Sequence, residues 1–458
     1  MKKNYSLSGM PDFNALETKR RNYLLSIIKN EFESFGFLPI VTSSVEKRSN
    51  LIGSYGEEGD KLVFQILNSG DYLSKIDTIN DKTNSQALSA KISTKALRYD
   101  LTLPFARFVS KNQAKLIFPF KRYEIGRVWR ADRPQKGRLR EFIQCDADII
   151  GDKSLWLEYD LILLLHSIFK NIGLKDLVIK INNTKILEGV FRSFKKTGVS
   201  FVEYCIIIDK INKIGFKKIS DLLLDKGFLN LEVSKIINLF KLKGSFSQKR
   251  TYLLENFEVN PVLDEGLNEL DFIFNQCAKH NILEYVDFDL SLARGLDYYT
   301  GFILEVISSH NKSISLAGGG RYDNLTEKFG SKNISGVGVS LGLDRLYLEL
   351  ESLNLFPPNL KNELDVLFIN FGTKEAEAAQ VYMSKIRTFG KSVELYPSDI
   401  KISKQMAYAN KRLANFVVII GENELKNNLL TVKNMNSGIQ SSMTFSAFKK
   451  ILHEKKTL

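Results

Sequence analysis

The segment FPFKRYEIGRVWRADRPQKGRLREFIQCDADIIG, residues 118–151, limits the fold more than any other part of the chain. Its two arms, YEIGRVWR and REFIQCDADII, alternate with the two-residue period of paired antiparallel strands. The loop between them, ADRPQKGR, holds three basic residues and a glycine, which predicts an exposed, mobile turn. A strand pair of this length needs further strands and covering helices to bury one face, so the segment predicts a sheet-based domain.

The flanking texture supplies those partners. Residues 11–36 carry Leu16, Tyr23, Leu24, Ile27, Ile28 and Phe32 at helical spacing, with Gly36 as the stop and FLPIVTSSV as a β-rich continuation. Residues 62–66 and 97–102 read as short strands. From 153 to 285 the runs SLWLEYDLILLLHSIF, SDLLLDKGF and VSKIINLFKL predict a Lys-dense helical insertion outside the sheet. Strand texture returns at 286–308 and 313–317. AGGGRYDNLTEKFG follows, then a strand and helix in GVGVSLGLDRLYLELE. After a linker at 359–363, DVLFINF, SVELYP and FVVIIG alternate with helices as βαβαβ, which predicts a parallel sheet. The domain reading is therefore 1–152 and 286–356 as two parts of one α+β domain on an antiparallel sheet, 153–285 as its insertion, and 363–458 as a C-terminal α/β domain.

Several functions are excluded by what is missing. No run of about 18 apolar residues spans a membrane, and the N-terminus lacks the apolar stretch of a signal peptide, so a cytoplasmic location is expected. Cys145, Cys205 and Cys277 form no C-x-x-C pair, and the four histidines are scattered, which argues against a disulfide framework or a protein metal cage. No Walker A loop occurs, and GVGVSLG has the wrong spacing for a dinucleotide loop. Lys401-Ile402-Ser403-Lys404 imitates the lysine loop of Rossmann-type synthetases, but no H-x-G-H accompanies it. The net charge of +13 favours a polyanionic partner. Residues 361–458 carry 15 Lys and Arg against 9 Asp and Glu, nearly half of that excess, as expected of a separate nucleic-acid grip.

The chemistry-bearing residues fall into two sets. Arg130, Arg294 and Arg345 sit in apolar or glycine-rich surroundings, where a guanidinium is costly unless it meets an anion. Three such forks suit phosphate and carboxylate oxygens. Asp100, Thr102, Gln144, Asp148, Tyr298 and Tyr299 form the second set; Asp100 and Thr102 are expected on one strand face, as are Gln144 and Asp148. Such groups could hold an ammonium and a small polar side chain.

These residues resemble the histidyl-tRNA synthetases, a class II aminoacyl-tRNA synthetase family, over essentially the whole chain. The strand-loop-strand ending in Arg130 is similar to motif 2, GVGVSLGLDRL with Arg345 to motif 3, and the first helix and strand with Pro39 to motif 1. LARGLDYYTG (292–301) and AGGGRYDNL (317–325) resemble the two histidine-specific signatures. RYDLT and Asp132 stand where many bacterial members have RPEGT and Glu, and resemble another branch that includes eukaryotic enzymes. The resemblance implies activation of L-histidine by ATP with magnesium, transfer to tRNA(His), a homodimer, and an anticodon-binding C-terminal domain. It further implies Arg130 on the α-phosphate, Arg345 on the γ-phosphate, Phe142 stacked on adenine and Asp132 near its amino edge. Arg294 would touch the substrate carboxylate and α-phosphate. Asp100 and Thr102 would bind the ammonium with Gln144 close by, and Asp148 with Tyr298 or Tyr299 would bind the imidazole. The competing expectation is a non-catalytic paralogue, a regulatory subunit of histidine biosynthesis or a tRNA sensor.

Overall fold

The structure is a computed structural model describing residues 6–73, 85–194, 198–293, 299–310, 314–358, 360 and 363–454. The chain divides into two compact units. One comprises residues 1–13 and 20–356, the other residues 14–19 and 357–458.

The large unit is built on eight strands: β1 (Leu38–Pro39), β5 (Phe120–Trp129), β6 (Glu141–Ile150), β7 (Leu177–Asn183), β8 (Val286–Phe288), β9 (Phe302–Ser308), β10 (Ser315–Tyr322) and β11 (Gly336–Gly342). Their spatial order is β1-β5-β6-β11-β10-β9-β7-β8. All pairings are antiparallel except the two outermost, β1 with β5 and β7 with β8. A small sheet of β2 (Val45–Lys47), β3 (Gln65–Ile66) and β4 (Lys95–Leu97) lies apart.

One face of the large sheet is apolar because alternate residues of each strand are. Tyr123, Cys145, Ala147, Ile149, Val337, Val339 and Leu341 join a single core with Leu24, Ile28 and Phe32 of the first helix and with the helices Trp156–Ile172 and Pro261–Lys279. Both of those helices are well bounded. Gly173 ends the first in the left-handed conformation at φ 86°, and Pro261 begins the second behind an Asn260 side chain that accepts from Leu263 N. The first helix runs Ala15–Ser34 and stops before Gly36, also at positive φ.

Two expectations are corrected. Residues 153–285 are not wholly outside the sheet: LVIKINN forms β7, between β9 and β8. Both its faces are largely buried, so this short apolar run lacks the clean alternation that marks a half-exposed strand. Residues 98–102 are not a strand either. β4 ends at Leu97, and Thr102 begins the helix Thr102–Asn112, where the Asp100 carboxylate accepts from the otherwise unpaired Leu103 N–H.

The smaller unit contains β12 (Leu364–Phe368), β13 (Val393–Leu395), β14 (Ala414–Ile419), β15 (Leu430–Asn434) and β16 (Gln440–Met443), ordered β13-β12-β14-β15-β16. The βαβαβ alternation gives three parallel strands, as expected. The sheet then continues through two antiparallel strands that the alternation did not announce.

Candidate active site

The polar face of the large sheet is the floor of a cleft, and the strand register dictates what stands beside what. Arg122 of β5 pairs across with Asp148 of β6, Glu124 with Asp146, and Gly126 with Gln144. On the other side of β6, Asp148 meets Gly338 of β11, Asp146 meets Ser340 and Gln144 meets Gly342. Gly318 and Gly320 of β10 continue these rows. Glycine at alternate positions keeps the floor low. A methyl group added at Gly338 would overlap the Asp148 carboxylate, so the GVGVSLG motif serves as a strand that makes room.

Two cavities open on this floor. The first, about 360 Å³, is lined by Asp100, Thr102, Arg130, Gln144, Asp146, Asp148 and Tyr299 among others. The second, about 160 Å³, is lined by Arg130, Asp132, Arg138, Phe142, Gln144 and Arg345 among others. Arg130, Arg138, Gln144, Gly318 and Ser340 line both, so the two are halves of one cleft. Every sequence-derived site residue that the structure describes is brought together here. Arg294 and Tyr298 lie outside the described residues.

In the first half the side chains are buried and held from behind. The Asp100 carboxylate accepts from Tyr55 Oη at 2.9 Å and Leu103 N at 3.1 Å. Asp148 accepts from Tyr322 Oη at 2.5 Å and pairs with Arg122 Nη2 at 2.6 Å. Gln144 Nε2 donates to Ser340 Oγ at 2.7 Å, while its buried Oε1 has no hydrogen-bond partner among the described residues. Burial is the main influence on the acids. It raises the carboxyls of Asp100 and Asp148 above the usual range, and pushes Asp146 up to about 8.

In the second half the arginines rest on backbone and rings. Arg130 Nε donates to Tyr99 O at 3.1 Å, and its guanidinium lies 4.3 Å from the Tyr99 ring centre and 5.2 Å from that of Phe142. Arg345 donates from Nε to Gly137 O at 3.2 Å and from Nη1 to Ser315 O at 2.8 Å. It thereby ties the loop between β5 and β6 to β10. Asp132 accepts from Arg138 Nε at 2.9 Å. Asp344 is engaged by Arg21 Nη1 at 2.8 Å and Ile143 N at 3.2 Å.

Sequence reasoning missed Arg138, Asp146, Tyr322 and Glu305. Asp146 was within reach, since it shares the parity of Gln144 and Asp148. Arg138 lay unremarked among the basic residues of the loop. Tyr322 and Glu305 reach the floor through strand pairings that no local pattern reveals. Among the described residues no group of three or more His, Cys, Asp or Glu is arranged to hold a metal ion.

A deep recess walled by carboxylates, open to a shallower one walled by guanidinium groups and an aromatic ring, can take a small cationic ligand beside a polyphosphate. Comparison with known proteins agrees. A model described as histidyl-tRNA synthetase matches residues 86–346, and one described as anticodon binding domain matches residues 365–455. A curated relative from Christiangramia forsetii, named "Histidine--tRNA ligase", is 46% identical over 441 residues, covering 96% of each chain. Another of that name from Flavobacterium johnsoniae is 43% identical over 465 residues, covering 97% of this chain and 98% of its own. The crystal structure of histidyl-tRNA synthetase from Nostoc sp. PCC 7120 superposes with a TM-score of 0.79 at 28% identity, over 99% of this chain and 100% of that one.

Proposed function

The chain belongs to the histidyl-tRNA synthetase family, and on that premise we propose how its cleft divides the work of charging tRNA(His). It is a ligase: L-histidine and ATP give histidyl-adenylate and pyrophosphate, and the histidyl group then passes to the 3′ end of tRNA(His). The alternative of a non-catalytic regulatory paralogue or tRNA sensor has no support.

The single observation that carries the assignment of residues is the sharing of Arg130 and Gln144 between an acidic and a basic half-cleft. Histidine sits in the acidic half. Asp100 and Thr102 take its ammonium group, with Gln144 alongside, and Asp148 with Tyr299 or Tyr298 takes the imidazole. ATP sits in the basic half, with adenine on Phe142, its amino edge toward Asp132, and the γ-phosphate at Arg345. Arg138, salt-bridged to Asp132 and half exposed, is added here as a further phosphate ligand. Arg130 stands at the junction, where the α-phosphate must be, and Arg294 is assigned to the substrate carboxylate and that same phosphate.

The chemistry needs no strong base. The histidine carboxylate, already ionised, attacks the α-phosphorus, and the bond to the β-phosphate oxygen breaks as pyrophosphate leaves. The site contributes alignment and fixed positive charge. A hydroxyl of the terminal adenosine then attacks the carbonyl carbon, and AMP departs. A buried pair of groups matched to imidazole rejects analogues lacking its N–H by about 10⁴–10⁵, so no editing site is needed. Magnesium enters with ATP. It favours phosphate oxygens, water and one or two carboxylates. The carboxylates at the basic half, Asp132 and Asp344, are already bound to arginines, which suits an ion carried mainly by the triphosphate.

Residues 363–458 are assigned to the anticodon end of the tRNA and the chain up to 356 to catalysis, with 153–285 supplying β7 and two core helices to that part as well as its further helices. The protein is further assigned to the cytoplasm, where its substrates are, and no helix among the described residues is long and apolar enough to cross a membrane. Leu38 on β1 and Val41 just beyond it are exposed, Val41 by more than four-fifths, and suit the interface of a homodimer. Sedimentation tests that state. The function is tested by pyrophosphate exchange with each of the twenty amino acids: histidine alone should support it, and exchange driven by another amino acid would refute the substrate. Removing the C-terminal unit should cut aminoacylation far more than exchange, and tRNA affinity should fall steeply with salt.

A further inference from the structure

One charged group in the floor lines neither cavity. The Arg122 side chain is fully buried. Its Nη2 lies 2.6 Å from Asp148 Oδ2 and donates to Leu101 O at 3.3 Å, and the guanidinium lies 4.1 Å from the centre of the Phe105 ring. Among the described residues its Nε and Nη1 have no hydrogen-bond partner. A purely structural element gains little from such an arrangement, because buried charge with unused donors costs more than an apolar residue of the same volume. The arrangement makes sense if the charge is wanted for what it does to its neighbour.

We propose that Arg122 is a positioning residue for histidine recognition: without touching the substrate, it keeps Asp148 ionised and aimed, while Tyr322 fixes the other oxygen of that carboxylate. This rests on the reading of Asp148 as the imidazole receptor. The remaining groups that face Asp148 do not compete. Glu124, on the same strand as Arg122, is taken by Arg98 at 2.7 Å and by Thr42. Asp146, beside Asp148 on β6, is pushed up to about 8 by its burial. Asp100 is held through Oδ1 by Tyr55 and Leu103, and Tyr322 donates to Asp148. Burial pushes the Asp148 carboxyl up, and Arg122 is the strongest influence pulling it back. Among these carboxylates Asp148 is the one that Arg122 engages most strongly, ahead of Asp146 and Glu124.

The test is Arg122→Met in pyrophosphate exchange, with Arg122→Lys for rescue. At pH 7 the methionine variant should raise KM for histidine by about tenfold or more while KM for ATP stays within about twofold, because an unpaired buried Asp148 becomes protonated. Raising the pH toward about 8.5 should restore part of that loss, as the carboxyl ionises, by more than any change wild type shows while Asp146 titrates over the same range. Lysine should rescue in part. An unchanged histidine KM, or a pH-independent fall in kcat with both KM values raised together, overturns the proposal. If Arg122→Met does not fold, Tyr322→Phe keeps the ring and should still raise the histidine KM selectively, and an unchanged value there overturns it too. Asp148→Asn separates the premises. If it leaves the histidine KM unchanged, the receptor reading itself fails; if it raises KM while Arg122→Met does not, only the positioning role fails.

Discussion

The two halves of the cleft share a floor and carry opposite charge at different depths. Asp100, Asp146 and Asp148 of the deep half are almost completely buried, whereas Arg130 and Arg345 of the outer half are partly exposed and Arg138 is exposed. Acids at depth pay for desolvation with raised pKa values and must be held by named partners. Arginines at the rim keep their charge whatever surrounds them and need only a carbonyl or a ring to set their direction. Depth therefore sorts with task. On the proposed assignment, the ligand told apart by two nitrogen atoms is read among buried carboxylates and the triphosphate is held among partly exposed arginines. Discrimination would then fall to the deep half and charge neutralisation to the outer one.

The largest effect should come from Arg130, which lines both halves. Arg130→Ala is expected to lower histidine-dependent pyrophosphate exchange by about 10²–10³ or more, the usual cost of losing a donor to transition-state charge; a loss below tenfold would break the division at its junction. Next is Gly338→Ala. Its methyl group overlaps the Asp148 carboxylate, and strain of about 1–3 kcal/mol should appear as a histidine KM raised roughly 5- to 100-fold with the ATP KM nearly unchanged. Equal effects on both substrates would blur the two halves into one. Asp132→Asn should act the other way round. It loosens Arg138, itself about half exposed, so the ATP KM should rise only a few-fold while histidine binding is spared.

The smallest effect concerns stability. Asp146 is pushed from its usual 3.8 up to about 8 by burial, so the folded chain retains a proton that the unfolded chain releases. Its contribution is complete below the unfolded pKa and is lost as pH rises through the folded one. Asp146→Asn removes that titration, and its melting temperature should fall less than that of wild type between about pH 6 and pH 9. Parallel curves would mean that Asp146 is already ionised at neutral pH.

Much of this cleft could be read from the strand pattern, and the limits of that reading are physical. The period of two put Gln144 and Asp148 on one face, and the same period includes Asp146. A pattern reports facing, however, and says nothing of depth. Asp100 and Thr102 reached the cleft for a reason other than the expected one, through the first turn of a helix, where the aspartate satisfies the Leu103 N–H. β7 was hidden because a strand buried on both faces resembles a stretch of buried helix when read in one dimension. Arg122 gave no sign at all. Its meaning comes from Asp148 across the ladder and Tyr322 two strands further on, and such neighbours are fixed only by folding. In the C-terminal unit the βαβαβ rhythm was plain, while the two closing strands had no helix between them to announce a pair.

The order of strands also bears on synthesis. β6 lies between β5, which precedes it immediately in the chain, and β11, which begins only at Gly336. A nascent chain that has left the ribosome through residue 150 can form the hairpin, but its aspartates then stand at an open edge in water, ionised and unable to tell one amino acid from another. Their surroundings are completed only when a strand made much later slides in beside them. If these aspartates receive the histidine as proposed, its recognition is completed only once β11 has been made, after most of the described helices.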